Sequence, residues 1–122
     1  MKESFYIFIF GGLGCLMRYQ VSQWCNYLPT FNFPIGVLTV NILGSMLAGL
    51  ALGTSLKYIE LQPTIKIIVM VGFLGGFTTF SSFSYELYQL YSTNILHATA
   101  YLLTSVLGGL VAFFIGMRFL LL

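Results

Sequence analysis

Charged side chains are scarce in this chain of 122 residues. It has no aspartate, three glutamates and five lysines or arginines, which makes 7% of the residues charged. An ordinary soluble domain is roughly 25% charged. A fold of this length buries only about two-thirds of its surface and so needs a polar exterior. These few charges cannot supply one, which excludes both a water-soluble monomer and a disordered chain.

The same scarcity excludes several classes of function. A net charge of +2 without a basic cluster offers no binding surface to nucleic acid. One histidine, two cysteines and three carboxylates form neither a metal-ligand cluster nor a pair of nucleophile and base, so we expect no enzyme. Cys15 and Cys25 would lie about 15 Å apart on one helix, beyond the reach of a disulfide.

Hydrophobic residues make up 58% of the chain, with a mean hydropathy of +0.94. They form long uncharged runs, and a helix needs ~20 such residues to cross a bilayer. The runs do not alternate as barrel strands would, and lipid-exposed backbone must be helical or closed into a barrel. The sequence therefore predicts an all-α membrane protein whose apolar surface contacts the lipid bilayer.

Three turn-rich stretches, at 26–34, 57–63 and 91–94, divide these runs. They predict one transmembrane domain over residues 1–122, with helices at roughly 4–25, 34–55, 64–90 and 95–119. The termini and the second loop hold Lys2, Lys57, Lys66 and Arg118. The positive-inside rule then places both termini in the cytoplasm. Few charges decide this orientation, and a mixed orientation stays open.

The third predicted helix carries the most informative pattern. Gly75 and Gly76 each cost about 1 kcal/mol in a helix relative to alanine, and five hydroxyl residues follow at positions 78–84. We predict that the helix breaks here, near the middle of the membrane, where freed carbonyls attract a cation and freed amides an anion. The alternative is a packing surface of the GxxxG type, formed by Gly72 and Gly76.

Other polar and aromatic residues also fall at membrane depth. Asn41, roughly 10 Å into the second helix, either donates to an anion or hydrogen-bonds a neighbouring helix. Phe80 and Phe83 share one helix face near Thr79, where the positive edges of their rings either favour an anion or simply pack. The further candidates for an anion path are Thr79, Ser81, Ser84, Tyr101, Ser105, Arg18 and Glu86.

Three segments together resemble the Fluc/CrcB family of fluoride channels. They are residues 11–19 (GGLGCLMRY), 36–45 (GVLTVNILGS) and 72–86 (GFLGGFTTFSSFSYE). The length and the four-helix layout agree over essentially the whole chain. The resemblance implies passive, selective export of fluoride across the cell inner membrane. It also implies an antiparallel, dual-topology homodimer with two pores, each built from both chains.

The resemblance further implies roles for individual residues. The family's pore phenylalanines correspond to Phe80 and Phe83 and its pore asparagine to Asn41. Its structural sodium ion, at the dimer centre, would be bound by the backbone carbonyls of Gly75 and Thr78. The family's hydroxyl track on the fourth helix corresponds to Tyr101 and Ser105. Its first-helix arginine corresponds to Arg18, and its carboxylate after the third-helix motif corresponds to Glu86.

Two rival functions remain open from the sequence. One is a proton-coupled exporter similar to the small multidrug resistance transporters, which need a carboxylate buried in the first helix, whereas Glu3 lies at the extreme end. The other is a non-transporting membrane assembly subunit, held together by faces of small residues. That function would explain the glycines but not the run of hydroxyls.

Overall fold

The computed structural model describes residues 1–28 and 33–122, and the regular structure within them is entirely helical. This confirms the predicted fold class. The helices are α1 (Lys2–Asn26), α2 (Ile35–Lys57), α3 (Ile59–Thr93) and α4 (Ile95–Leu121). The third helix begins five residues before and ends three residues after its predicted range of 64–90. Part of the first predicted turn, residues 29–32, lies outside the described residues.

In the described part of the chain, three helices are long and apolar enough to cross a membrane, namely α2, α3 and α4. The first helix is also long enough, since its 25 residues extend about 37 Å. It is less apolar because it carries Lys2, Glu3 and Arg18. Its assignment as a fourth span therefore rests on its length and on its packing against α2 and α3.

The third helix consists of two halves. The first half-helix, residues 59–77, passes through a 3₁₀ turn, a short α turn and a π-helical stretch (Ile65–Leu74) before a final α turn, Gly75–Phe77. Thr78 and Thr79 then have extended backbone, with φ/ψ of −86/156° and −150/120°. The second half-helix is Phe80–Thr93. The predicted break is thus present, but it follows the glycine pair instead of falling on it.

Of the two glycines, Gly76 lies directly against α1. A Cβ atom on Gly76 would overlap the carbonyl oxygen of Gly11, and one on Gly14 would overlap that of Phe73. Gly72 lies against the same helix. The break and the small-residue packing surface, which the sequence left as alternatives, therefore occur side by side.

The helices alternate in direction along the chain. The start of α2 lies against the end of α1, since a Cβ on Gly36 would come within 3.0 Å of the carbonyl oxygen of Ser22. By contrast, α2 and α4 run parallel, and their backbones touch where Gly49 meets Phe113 and Gly116 meets Met46. The ends that carry Lys2, Lys57, Lys66 and Arg118 therefore share one side of the bundle.

The second and third turns are shorter than predicted. Only Tyr58 separates α2 from α3, and only Asn94 separates α3 from α4. The side chain of Asn94 caps α4 by accepting hydrogen bonds from the amides of Leu96 and His97, at 2.9 and 3.3 Å. The hydroxyls before it, on Ser92 and Thr93, donate to carbonyls of their own helix, which ends at residue 93.

Candidate functional site

The extended backbone of the break is held by Asn41 on α2. The Nδ2 of Asn41 donates to the carbonyl of Thr79 at 2.9 Å, and the amide of Thr79 donates to Oδ1 of Asn41 at 2.8 Å. The pair satisfies two backbone groups that would otherwise be costly at membrane depth. The interhelical hydrogen bond, one of the two alternatives for Asn41, is thus present. The pairing uses one of the two Nδ2 protons, and a role of Asn41 toward an anion stays a prediction.

The hydroxyls after the break form a cluster at the start of the second half-helix. Thr79 caps this helix, because its Oγ1 accepts from the amide of Ser82 at 3.2 Å. The same oxygen lies 3.2 Å from the Oγ atoms of both Ser81 and Ser82. The positive end of the helix dipole lies here as well. The cluster therefore presents O–H and N–H groups at one point of the bundle.

The break also frees the two carbonyls that the sequence resemblance assigns to sodium. In a continuous helix, the amide of Thr79 would donate to the carbonyl of Gly75, and that of Ser82 to the carbonyl of Thr78. The first of these amides donates to Asn41 and the second to the Thr79 hydroxyl. Both carbonyls lose the donors that a helix would give them, and neutral oxygens of this kind fit a hard cation.

A cavity of about 450 Å³, named here the break cavity, opens beside the extended residues. Its polar lining comes from the side chains of Asn41, Ser45, Thr78, Thr79 and Ser105. The Oγ of Ser105 is buried and has no hydrogen-bond partner in the described part of the chain. This hydroxyl is therefore a donor that the protein itself does not use.

Phe80 and Phe83, predicted to lie together, do so at this cavity, with ring centroids 5.4 Å apart and ring planes tilted by 46°. Their environments differ. The side chain of Phe83 is 6% exposed and stacks on Tyr101 at 5.4 Å, whereas Phe80 is 79% exposed. One ring is thus fixed inside the helical bundle and the other lies on its outer surface.

Tyr101 and Glu86 form a pair that the sequence did not indicate. The hydroxyl of Tyr101 donates to Oε2 of Glu86 at 2.6 Å, which joins α4 to the second half-helix. Tyr101 is completely buried, in contact with the rings of Phe83 and Phe33. A partial signal exists, because Glu86 follows Phe83 by three residues and must share its helix face.

Two further cavities lie beyond the break. One, of about 560 Å³, is lined by Arg18, Thr79, Ser81, Ser82 and Glu86 among others, and is named here the charged cavity. In it, Nη2 of Arg18 donates to Sγ of Cys15 at 3.2 Å. The other, of about 1010 Å³, reaches the helix ends at His97 and Asn94. Thr79 lines both the break cavity and the charged cavity. Glu86 lines both the charged cavity and the cavity at the helix ends.

Tyr101 lines none of the three polar cavities described above, and the structure places Ser84 apart from them as well. The hydroxyl of Ser84 donates to the carbonyl of Phe80 at 3.0 Å, within its own helix, and the residue is exposed. It lines an apolar groove between the second half-helix and α4. Conversely, Ser45 lines the break cavity although it was not among the predicted site residues.

Comparisons with known proteins agree over nearly the whole chain. Residues 5–117 match the family described as CrcB-like protein, Camphor Resistance (CrcB). Two relatives, from Geotalea daltonii and Geotalea uraniireducens, are each 42% identical over 117 residues, which cover 95% of this chain and 94% of theirs. A relative from Thermosipho melanesiensis is 39% identical over 112 residues, 91% of this chain and 90% of its own. All three are named Fluoride-specific ion channel FluC.

Proposed function

The chain belongs to the CrcB family, and from this premise we propose that it is a fluoride-selective ion channel of the cell membrane. Fluoride leaves the cell through it passively, down its own gradient. A channel of this kind carries out no chemical reaction, so the chain is not an enzyme. The three apolar helices and the named relatives agree on a multi-pass membrane protein.

One observation carries the proposal, namely the composition of the break cavity. Its lining contains amide and hydroxyl groups and two aromatic rings, and no charged side chain. Fluoride holds its water strongly, so a pore must offer replacement donors. Neutral donors and positive ring edges can do this without holding the ion too tightly to release it. Asn41, Ser105 and Phe83 are the residues that we assign to this task inside one protomer.

The exposed ring of Phe80 supports a homodimer, whose antiparallel arrangement is what the sequence resemblance implies. A phenylalanine that borders a polar cavity and is 79% exposed lies where a second copy could cover it. In the proposed dimer, each pore combines the cavity of one copy with residues of the other.

Modification of Lys57 by a membrane-impermeant reagent, applied first from one side of sealed vesicles and then from both, tests the orientation. Labelling of half the subunits from either side supports the dimer, and complete labelling from one side contradicts it.

We also propose that a sodium ion binds at the break through the carbonyls of Gly75 and Thr78. Thr78 is held in place because its methyl group fills the space beside Gly44. Bound there, the ion supplies a fixed positive charge that raises the potential for anions in the nearby cavities. Replacement of sodium by a large organic cation on both sides of the membrane should lower both thermal stability and fluoride flux. Equal stability and flux in the two media would contradict the sodium site.

The proposed function is tested by ion flux from liposomes that contain the purified protein. Fluoride efflux well above that of protein-free liposomes, with chloride efflux close to background, is the expected result. Equal chloride efflux, or no fluoride efflux, would overturn the proposal. A flux that requires a proton gradient would instead indicate a coupled exporter. The absence of any flux, together with stoichiometric purification of an unrelated protein, would indicate an assembly subunit.

A further inference from the structure

We propose that Ser45 is a further anion-donating residue of the break cavity, and that Gly109 keeps open the space in which its hydroxyl turns. This inference rests on the proposed function, since it concerns the ion that the cavity would carry. It assigns a donor on α2 one helical turn beyond Asn41. The same cavity is lined by Ser105 from the facing helix α4.

The hydroxyl of Ser45 has a resting partner in its own helix. Its Oγ donates to the carbonyl oxygen of Asn41 at 2.8 Å. Serines in apolar helices commonly form such bonds to the carbonyl one turn back when no better acceptor is near. An anion is a better acceptor, because hydrogen bonds to charged groups are roughly twice as strong as neutral ones. A change of one staggered χ1 rotamer would move the proton from the carbonyl to the ion.

Gly109 provides the room that this movement needs. It is buried on α4, and a Cβ atom at that position would lie 3.3 Å from Oγ and 3.9 Å from Cβ of Ser45. Such a Cβ would crowd the hydroxyl of Ser45, but α2 and α4 could still pack against each other. The neighbouring Gly108 makes a useful contrast, since its Cβ would lie 3.2 Å from Cδ1 of Ile42. A Cβ atom would therefore have about the same space at either glycine, but only the Cβ at Gly109 would contact a hydroxyl.

Ser105 gives independent support for a ligand at this point. It lies one turn before Gly109, on the same face of α4, and its hydroxyl is the buried one without a partner. Two hydroxyls from facing helices thus border one cavity, the first unbonded and the second bonded only to its own backbone. Together with the remaining Asn41 proton, they would give an ion three neutral donors from two helices.

The first test compares Ser45→Ala with Thr54→Ala. Thr54 is a matched control, because its Oγ1 makes the same bond in the same helix, to the carbonyl of Leu50 at 2.9 Å, and it does not line the break cavity. Both variants lose an intrahelical hydroxyl bond, whereas only the first loses a donor to the ion. We expect Ser45→Ala to lower fluoride flux by about tenfold, as for the loss of a hydrogen bond to a charged group. Thr54→Ala should stay within about twofold of the parent protein.

The second test compares Gly109→Ala with Gly108→Ala. The first should lower fluoride flux because it crowds Ser45, and the second should not. The double variant Ser45→Ala/Gly109→Ala should be no slower than Ser45→Ala alone, since both changes disable one hydroxyl. Size-exclusion chromatography establishes that each variant has the same assembly as the parent.

The outcomes separate the inference from the proposed function. If the parent protein carries fluoride and Ser45→Ala is as active as Thr54→Ala, the inference is overturned while the channel function stands. Equal effects of Gly109→Ala and Gly108→Ala would overturn the part that concerns Gly109. A parent protein without fluoride flux would overturn the channel function itself, and the inference with it.

Discussion

The side-chain amide of Asn41 exchanges with the backbone of Thr79 the same pair of hydrogen bonds that neighbouring antiparallel β-strands exchange. The two residues are 38 positions apart in the chain. A single side chain thus takes the place of a strand edge inside a helical bundle. It satisfies both backbone groups of an extended residue at membrane depth.

Substitution of Asn41 by leucine should therefore impair the fold as well as transport. The change leaves the N–H and C=O of Thr79 unsatisfied, and we expect a loss of about 2–4 kcal/mol in the free energy of unfolding. Equilibrium unfolding in detergent measures this loss. If Asn41→Leu were as stable as the parent, the pairing would be energetically unimportant.

Replacement of either Phe80 or Phe83 by isoleucine should lower fluoride flux, because the aliphatic side chain has no positive ring edge. The two variants should differ in stability. Phe83 is buried and stacked on Tyr101, so its replacement should cost about 1 kcal/mol beyond the lost area. Phe80→Ile should cost less, because that side chain is exposed and contacts Phe83 without stacking on Tyr101. Unaltered flux in both variants would show that the rings serve only to pack.

The hydroxyl of Tyr101 should contribute more to the stability of the fold than a comparable hydroxyl on the surface. Tyr101→Phe removes the bond to Glu86 and leaves a half-buried carboxylate without its donor, which should destabilise the protein by about 1.5–3 kcal/mol. Tyr85→Phe is the control, because that hydroxyl only accepts a bond from exposed Gln89 at 3.0 Å. Thermal unfolding of both variants provides the comparison. Equal effects would mean that the Glu86 bond contributes nothing specific.

Two adjacent glycines should respond in opposite ways to alanine. At Gly76 a Cβ would overlap the carbonyl of Gly11, so Gly76→Ala must push α1 away and should destabilise the protein by about 1–3 kcal/mol. At Gly75 the nearest atom, the carbonyl oxygen of Met70, would be 3.8 Å from the new Cβ, an ordinary contact. Gly75→Ala should therefore be neutral or slightly stabilising. Equal stability of the two variants would contradict the close approach of α1.

The sequence was sufficient for the helices and for the presence of a break. Charges and turn residues recur at spacings that only membrane helices satisfy, and the run of hydroxyls after Gly75 and Gly76 marks an irregular backbone. The location of the break was not predictable. The backbone of α1 requires glycine at position 76, a contact between helices that the local sequence does not reveal, and the chain first becomes extended at Thr78.

The contacts within the site were harder to predict than its members. Asn41, Phe80, Phe83, Tyr101 and Ser105 are unusual enough at membrane depth to be noticed individually. The residues that they contact depend on how α2, α3 and α4 pack, and the spacing of residues along the sequence does not predict this packing. Ser84 belongs to the same hydroxyl run but lines an apolar groove between the second half-helix and α4, and its role toward an anion stays a prediction.

The dependence of the break on α2 has a consequence for the biogenesis of the protein. During synthesis α2 emerges before α3, so that Asn41 is already in the membrane when Thr79 arrives. Until the two meet, nothing outside α3 favours the extended backbone, and an uninterrupted helix would keep all of its own hydrogen bonds. The extended segment of α3 would then form only after α2 and α3 have packed together.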